Sequence, residues 1–363
     1  MIKVSVIVPC YNAEKWLNTA MPVLCGQVLQ EIEIICVDDA STDNTFNILG
    51  QWAEKDSRIK IIRHDKNKGS GVSRNDGISV ARGEYIGLMD ADDTVDLDFF
   101  AKLYDNAIKT DADVSVSNLD VVDVRGRHIG LKMRSMPNIM RKPEIWFSYV
   151  YTAIYKADFI RKNKIAFLDT SIMDDTYFEY VVKLTPGVKW CFCPTAFYHY
   201  LHNEDSVSRF YMPEEKIDVV VRAIGEIADL MNSSKVPEAI YIQSYLSFFR
   251  HITSSHMEKS QADSARKKIA GAILSLYDKF KRKEIIRRQF QLLFPYLQSR
   301  DIGGLIHQID YLSHHEVITL GLGREKFVLY KIVRWIGIRR DYLFGKIPLF
   351  FYSRKIETRF EVA

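Results

Sequence analysis

Short runs of apolar and β-branched residues, each about as long as a strand, recur between residues 4 and 117. They cover 4–8 (VSVIV), 33–37 (EIICV), 58–63 (RIKIIR), 84–89 (EYIGLM) and 113–117 (DVSVS). Segments of helical length separate several of these runs, at 13–30, 41–56 and 97–110. Strands that alternate with helices form a parallel sheet with helices on both faces. We therefore predict a Rossmann-like α/β domain with a mostly parallel sheet.

The pattern changes near Phe210, where we place the end of this first domain at 1–210. From Pro213 to about Ser299 the apolar residues recur with a spacing near 3.6, as in EEKIDVVVRAIGEIADLMN and ADSARKKIAGAILSLYDKF. This spacing predicts a helical domain over 211–320. The aromatic-rich segment 140–210 has a mixed pattern that assigns no elements.

Residues 321–363 are predicted to form a basic amphipathic tail. From Arg324 to Ala363 there are ten Lys or Arg against four Asp or Glu, whereas the whole chain has a net charge of +4. Written as a helix, REKFVLYKIVRWIGIRR places basic residues on one arc and aliphatic residues on another. Such a helix suits an anionic membrane surface. Packing of the tail on the protein's own helical domain is the alternative.

Composition indicates an ordinary globular protein of about two domains. The chain has 363 residues, of which 47% are hydrophobic, enough for a sizeable core. Its five cysteines are odd in number and have no CxxC spacing, so we expect reduced thiols without a zinc site. No apolar run has the length of a signal or membrane-spanning segment. We expect a cytoplasmic protein, peripheral on the inner face of the plasma membrane if the tail binds lipid.

Polar residues gather where three predicted strands end. The first strand is followed by Pro9, Tyr11 and Asn12, the second by Asp38 and Asp39, and the fourth by Asp90, Asp92 and Asp93. In an open parallel sheet, ligands bind at the edge where the strands have their carboxyl ends. The three clusters should therefore meet in space.

The carboxylates in the fourth-strand cluster would repel one another unless a cation lay among them. Mg²⁺ or Mn²⁺ prefers oxygen ligands and is held by one or two carboxylates together with substrate phosphates. The spacing of Asp90 and Asp92 lets both face one ion. Asp38 or Asp39 could then accept hydrogen bonds from a base or ribose, and Tyr11 could stack on the base. We predict a site for a metal ion and a nucleoside diphosphate.

The segment NKGSGVSRN, residues 67–75, fits such a ligand. Gly69 and Gly71 allow the backbone to approach a phosphate closely, and Arg74 could contact the phosphate with two hydrogen bonds. A surface charge or a helix partner is the alternative for Arg74. The chain lacks the Walker lysine loop and the GxGxxG pattern, which excludes P-loop and dinucleotide sites of the usual kind.

Four motifs together resemble those of the family 2 inverting glycosyltransferases, which have the GT-A fold. They read SVIVPCYNAEKWL, IEIICVDDASTDNT, NKGSGVSRNDGISVARGEYIGLMDADD and MDDTYF, and they lie between residues 3 and 210. The resemblance implies a GT-A domain with nucleotide-sugar binding in 1–110 and the acceptor side in 111–210. It also implies transfer of a sugar, usually from a UDP-sugar, to an acceptor hydroxyl with inversion.

The resemblance assigns roles to residues of the nucleotide and metal site. Pro9 and Tyr11, with Asn12 beside them, match the positions that frame the nucleotide. Asp39 matches the carboxylate that contacts the base. Asp90 and Asp92 match the Asp-X-Asp motif that binds the metal and the ribose.

On the acceptor side, the resemblance makes Asp175 the catalytic base, although an acidic pair such as Asp174 and Asp175 could instead cap a helix. His202 is an additional candidate metal ligand, with aromatic packing or a surface position as the alternative. Ala40 departs from the family, which frequently has Gly there.

The function expected from the sequence is metal-dependent inverting sugar transfer to a glycan or lipid-linked glycan, in bacterial surface polysaccharide synthesis. The expected cofactor is Mn²⁺ or Mg²⁺, and no nucleic-acid partner is expected. The oligomeric state is not indicated. Two alternatives stay open: a nucleotidyltransferase, and a non-catalytic module that binds nucleotide sugars within an assembly complex.

Overall fold

In a computed structural model of the protein, strands and helices alternate through the first domain as the sequence predicts. The structure describes residues 1–129, 149–169, 174–202, 218, 221–223, 225–227, 229, 259–279, 294–314, 330–335 and 338–343. The first elements are β1 Val4–Cys10, α1 Glu14–Cys25, β2 Ile32–Asp38, α2 Thr45–Lys55, β3 Ile59–Arg63, α3 Ser70–Val80, β4 Tyr85–Leu88, β5 Thr94–Val95, α4 Phe99–Thr110 and β6 Val114–Val122. The five predicted strands and three predicted helices are confirmed.

The segment that the sequence pattern left unassigned completes the domain. A short 3-10 turn, Val150–Thr152, leads into β7 Ala153–Lys156 and α5 Ala157–Lys162. Helix α6 Asp174–Leu184 and the long strand β8 Trp190–Leu201 follow.

Eight of these strands form one sheet in the order β3-β2-β1-β4-β7-β6-β8-β5. β3, β2, β1 and β4 are parallel, and β6 and β8 are parallel to each other. β7 runs antiparallel to both β4 and β6, so β6 and β8 point the same way as β4. The carboxyl ends of β1, β2, β4, β6 and β8 therefore share one edge, which we call the carboxyl edge.

The central strands are buried because helices cover both faces of the sheet. Val6, Ile7 and Ile34 have no exposed surface, and Leu17 and Met21 of α1 pack against the same core. Continuous apolar runs such as EIICV are typical of strands that are buried on both sides.

Helix α3 lies unusually close to β1. A Cβ atom built on Gly77 would lie 2.4 Å from Cγ2 of Ile7, so a larger side chain at this position would push the helix outward. The glycine thus lets α3 reach the sheet and carry Arg74 to the carboxyl edge.

The predicted helical region after the first domain is confirmed where the structure describes it. Its longer helices are α7 Lys259–Lys279, α8 Phe294–Ser299 and α9 Ile302–His314, and α9 packs against the other two. Within the described ranges, the structure contains no helix whose length and apolarity would let it cross a bilayer.

The tail is not helical where the structure describes it, so the predicted amphipathic helix is wrong for these residues. Tyr330–Trp335 (β9) and Ile338–Leu343 (β10) form an antiparallel pair in which Trp335 lies opposite Ile338. β9, YKIVRW, is rich in β-branched and aromatic residues, which favour strands. Membrane contact through the tail stays a prediction, without the helix on which it was based.

Candidate active site

The loop after β2 is fastened to the loop that precedes α3 through Asp39. Its Oδ1 accepts hydrogen bonds from Lys68 N at 2.8 Å and His64 Nδ1 at 2.7 Å, and its Oδ2 accepts one from Gly69 N at 2.8 Å. A buried carboxylate is stabilised by several N–H donors of this kind. Asp39 therefore fixes the glycine segment in place, and its contact with a base stays a prediction.

The loop after β1 is held by its own polar residues. Asn12 has a left-handed backbone with φ of 48°, and its Oδ1 accepts hydrogen bonds from Thr42 N at 2.9 Å and Thr42 Oγ1 at 3.2 Å. Pro9, the last residue but one of β1, lies beside Val37, and Tyr11 is 49% exposed at the carboxyl edge. Tyr11 is placed where a planar base could stack on it.

Ala40 also has a left-handed backbone, with φ of 58°. This conformation is costly for a residue with a Cβ atom and is free of that cost for glycine. The geometry explains why glycine suits this position, and it makes Ala40 a small store of strain beside the site.

Arg74 is buried, with 4% of its surface exposed, and its guanidinium joins three carboxylates. Nη2 donates to Asp90 Oδ1 at 2.8 Å, and Nη1 donates to Asp175 Oδ1 at 2.7 Å and to Asp174 Oδ2 at 3.1 Å. Burial by itself lowers the pKa of Arg74, but these carboxylates raise it above its ordinary value. In this state the arginine acts as a clamp among carboxylates, and its predicted phosphate contact stays a prediction.

The Asp90-to-Asp93 turn contains carboxylates in different environments. Asp93 is buried and accepts hydrogen bonds from Tyr198 OH at 2.8 Å and Leu201 N at 2.7 Å, which ties the turn to β8. Asp90 is bound by Arg74. Burial and the nearby Asp90 raise the pKa of Asp92 to about 6, so its charged form is costly in the absence of a cation.

This arrangement fits a hard divalent cation. Asp92 lies two positions from Asp90 and has no ion pair with a described residue, and carboxylate oxygens are the ligands that Mg²⁺ and Mn²⁺ prefer. Among the described residues, no group of three or more His, Cys, Asp and Glu side chains is arranged to hold a metal. Asp90 and Asp92 would hold such an ion together with substrate phosphates, in keeping with the coordination habits of Mg²⁺.

Helix α6 begins at Asp174, and its second residue is the predicted catalytic base, Asp175. Asp174 is buried and accepts a hydrogen bond from Ser70 Oγ at 2.9 Å in addition to its contact with Arg74. Asp175 is 43% exposed and so remains accessible. Desolvation in the cleft raises the pKa of Asp175, Arg74 lowers it, and the charges of Asp174 and Asp90 raise it again, with a net upward shift. An accessible carboxylate with a raised pKa suits proton abstraction.

The histidines of β8 and beyond occupy different positions. His199 contacts Asp96 through Nε2 at 3.0 Å and Asp120 through Nδ1 at 3.4 Å. His202 is exposed, and its backbone N–H donates to Val122 O at 2.8 Å. The role of His202 as a metal ligand stays a prediction.

Some residues that shape the site escaped the sequence analysis. His64 bridges Asp39 and Asp76 through its two ring nitrogens, at 2.7 and 2.9 Å. It thereby holds in place the carboxylate of Asp39, which is predicted to contact the nucleobase. Tyr198 connects Asp93 to the backbone N–H of Asp90. A short motif rule could not find them, because each acts from an element distant in sequence.

Known proteins resemble this chain in sequence. The family model described as glycosyl transferase family 2 matches residues 5–176. A poly(ribitol-phosphate) beta-glucosyltransferase of Bacillus spizizenii is 27% identical over 277 residues, which is 73% of this chain but only 43% of that protein. The uncharacterized glycosyltransferase YibD of Escherichia coli is 30% identical over 268 residues, covering 69% of this chain and 76% of YibD.

Solved structures resemble this chain in fold. TarS 1-349 of S. aureus, crystallised with UDP-GlcNAc, has a TM-score of 0.68 at 21% identity, covering 85% of this chain and 90% of that chain. The mannosyltransferase PcManGT of Pyrobaculum calidifontis, solved with GDP-Man and Mn²⁺, has a TM-score of 0.50 at 18% identity. The expected GT-A fold is confirmed. On the family match and the similarity to YibD, the chain belongs to glycosyl transferase family 2.

Proposed function

We propose that this glycosyltransferase transfers a sugar, with inversion, from a UDP-sugar to an acceptor hydroxyl, in the synthesis of a bacterial surface polysaccharide. One observation carries the proposal: Arg74 draws Asp90, Asp174 and Asp175 together at the carboxyl edge, with Asp92 beside them. A base is thereby held next to a place that suits a metal-bound diphosphate. The family supplies the reaction class, and TarS, with its UDP-GlcNAc, suggests the donor.

The reaction requires one proton transfer and one displacement. Asp175 accepts the proton of the acceptor hydroxyl while the hydroxyl oxygen forms a bond to the anomeric carbon. The bond from that carbon to the phosphate oxygen breaks, and its electron pair leaves with the nucleoside diphosphate. Because attack comes from the face opposite the leaving group, the configuration inverts. Positioned base catalysis of this kind contributes roughly 10²- to 10⁴-fold in rate.

The remaining side chains position the reactants. Asp90 and Asp92 would bind the divalent cation, which when bound stabilises negative charge on the leaving diphosphate. Tyr11 offers its exposed ring to the base, and Asp39 holds the Lys68–Gly69 backbone beside it. No acid is required to protonate the leaving group, in contrast to glycoside hydrolysis.

A panel of UDP-, GDP- and dTDP-sugars tests this proposal. We expect slow Mn²⁺-dependent hydrolysis of a UDP-sugar, and proton NMR should show that the sugar released first has the inverted anomeric configuration. Chelation of the metal should stop the reaction. Release of pyrophosphate from a nucleoside triphosphate supplied with a sugar 1-phosphate would indicate a nucleotidyltransferase, and tight nucleotide binding without turnover would indicate a non-catalytic module. Retained configuration would contradict the direct displacement in which Asp175 acts as the base.

A further inference from the structure

Four tyrosines form a stack at the carboxyl edge, and we call Tyr149, Tyr151, Tyr198 and Tyr200 the tyrosine stack. The ring of Tyr151 lies 5.6 Å from that of Tyr149 and 4.5 Å from that of Tyr198, with interplanar angles of 23° and 29°. It is also nearly parallel to Tyr200, at 6.2 Å and 9°. The stack has no role in the reaction described above.

The stack lies next to the predicted chemistry. Tyr149 immediately precedes the turn Val150–Thr152, which packs against β4, β6, β8 and the α6 helix that begins at Asp174. Since β7 is antiparallel to β4, its first residues lie at the carboxyl end of β4, where the Asp90 turn begins. The stack therefore stands between the strand that carries Asp90 and the helix that carries Asp175.

The stack is held rigidly from within. Tyr198 donates its hydroxyl hydrogen to Asp93 Oδ2 at 2.8 Å and accepts a hydrogen bond from Asp90 N at 3.1 Å. Tyr151 is buried, whereas Tyr149 is 45% exposed. The carbonyl of Tyr149 accepts hydrogen bonds from Thr152 N at 3.0 Å and Thr152 Oγ1 at 2.8 Å. An exposed aromatic ring is thus fixed on a buried support, so little conformational entropy opposes binding to it.

An exposed aromatic ring of this kind is complementary to a pyranose. One face of the sugar ring presents C–H groups that are apolar and slightly positive, and the face of an aromatic ring is electron-rich. We propose that Tyr149, backed by the tyrosine stack, binds a pyranose ring of the acceptor by stacking. This proposal rests on the proposed function.

The order of strands places this ring on the acceptor side. The residues assigned to the nucleotide follow β1 and β2, which lie on one side of β4 in the sheet, whereas Tyr149 precedes β7 on the other side. The reacting bond should lie between them, above the end of β4. A sugar that stacks on Tyr149 is then across from the nucleotide and near Asp175.

Ring shape distinguishes two kinds of acceptor at this site. A pyranose presents a face of C–H groups to Tyr149, whereas poly(ribitol phosphate), named for the Bacillus relative, is acyclic and offers no ring face to a tyrosine. The acceptor of this protein should therefore end in a pyranose.

Saturation-transfer NMR on the full-length protein tests the inference without requiring turnover. The probes are methyl β-D-glucopyranoside, methyl β-D-galactopyranoside and ribitol 5-phosphate, each titrated against wild type, Tyr149→Ala, Tyr149→Phe and Ile108→Ala. Ile108 is an exposed apolar residue near the end of α4, away from the carboxyl edge, and serves as a matched control. The donor KM for hydrolysis is measured in the same variants.

We expect a pyranoside to bind wild type, with its ring C–H protons receiving most saturation. Tyr149→Ala should raise the dissociation constant about tenfold, as expected for loss of a stacked partner. Tyr149→Phe and Ile108→Ala should stay within about twofold of wild type, and the donor KM should not change with any variant.

Three results would overturn the inference: no pyranoside signal with wild type, equal binding by Tyr149→Ala and wild type, or tighter binding of ribitol 5-phosphate. A donor KM that rises in Tyr149→Ala would place the ring on the donor sugar and contradict the acceptor assignment. Pyranoside binding that depends on Tyr149, in a protein that hydrolyses no donor, would uphold the subsite while the proposed function failed.

Discussion

Replacing Arg74 with glutamine separates two roles for this residue. The sequence predicts a phosphate contact, whereas the structure shows a buried guanidinium bonded to Asp90, Asp174 and Asp175. If the arginine only bound substrate phosphate, Arg74→Gln would fold normally and lose donor affinity. If it holds the carboxylates together, the variant should lose stability even in the absence of substrate.

The size of the stability loss follows from the buried carboxylates that Arg74→Gln leaves without a cation. Removing one partner of a buried ion pair costs roughly 3–5 kcal/mol. Solvent reaches Asp175 and part of Asp90, so Asp174 is the partner that is left most deeply desolvated. We therefore expect a loss of about 3 kcal/mol in the free energy of unfolding, at the lower end of that range. This corresponds to a fall in Tm of about 6–12 °C.

The loss should depend on pH in a defined direction. Without Arg74, Asp174 and Asp175 lose the cation that lowers their pKa values, so their folded-state pKa values rise further. Groups with raised folded-state pKa values favour the folded state when protonated, and this contribution is lost as pH increases through those values. The deficit of Arg74→Gln should consequently be largest at pH 8 and become smaller towards pH 5.

Thermal unfolding followed by circular dichroism at pH 5, 6.5 and 8 provides the assay. Arg82→Gln is the matched control, because Arg82 is 64% exposed in its side chain and lies 3.5 Å from Glu33, a contact expected to contribute at most about 1 kcal/mol. A Tm for Arg74→Gln that matches wild type at pH 8 would refute the clamp. A deficit that does not change with pH would refute its electrostatic origin.

Three further substitutions test the structural account. Asp92→Asn should raise the Tm of the metal-free protein at pH 7.5, by up to about 2 kcal/mol in unfolding free energy, because it removes a costly charge. The difference should shrink as the pH falls below about 6 and vanish only below about pH 4, where the unfolded chain is protonated too, and a lower Tm at pH 7.5 would contradict the raised pKa. Gly77→Ala should lower the free energy of unfolding by about 1–3 kcal/mol, because the new methyl group clashes with Ile7. Gly50→Ala, whose methyl group meets no atom within 4 Å, should raise it by about 0.5–1 kcal/mol through helix propensity. Equal effects of the two changes in urea unfolding would refute the close packing of α3. Ala40→Gly should stabilise by roughly 0.5–1 kcal/mol by relieving the left-handed backbone, and a destabilised variant would show that no strain is stored there.

The parallel half of the fold was predictable because its signals are local. Buried strands such as VSVIV and EIICV are predominantly apolar runs, and polar residues at their ends mark the carboxyl edge without knowledge of the tertiary structure. The grouping of Asp39 with the glycine segment follows from the same reasoning, since both lie at that edge.

The clamp and the tyrosine stack were not predictable, because long-range packing decides them. Helix α3 is made of small and polar residues, so its sequence does not show that Arg74 points inward. Its depth depends on the contact between Gly77 and Ile7, which are 70 positions apart. Tyr149 and Tyr151 meet Tyr198 only because β7 and β8 join one sheet through β6. In the tail, periodicity favoured a helix, but β-branched and aromatic residues formed a strand pair.

Turnover of a UDP-sugar by Asp175→Asn tests the central claim most directly. The change removes the proton acceptor while keeping the shape of the side chain, and donor affinity is measured alongside by calorimetry. We predict a fall in the Mn²⁺-dependent turnover rate of roughly 10²- to 10⁴-fold with donor affinity and Tm close to wild type. Turnover equal to wild type would contradict the assignment of Asp175 as the base and, with it, the proposed active site.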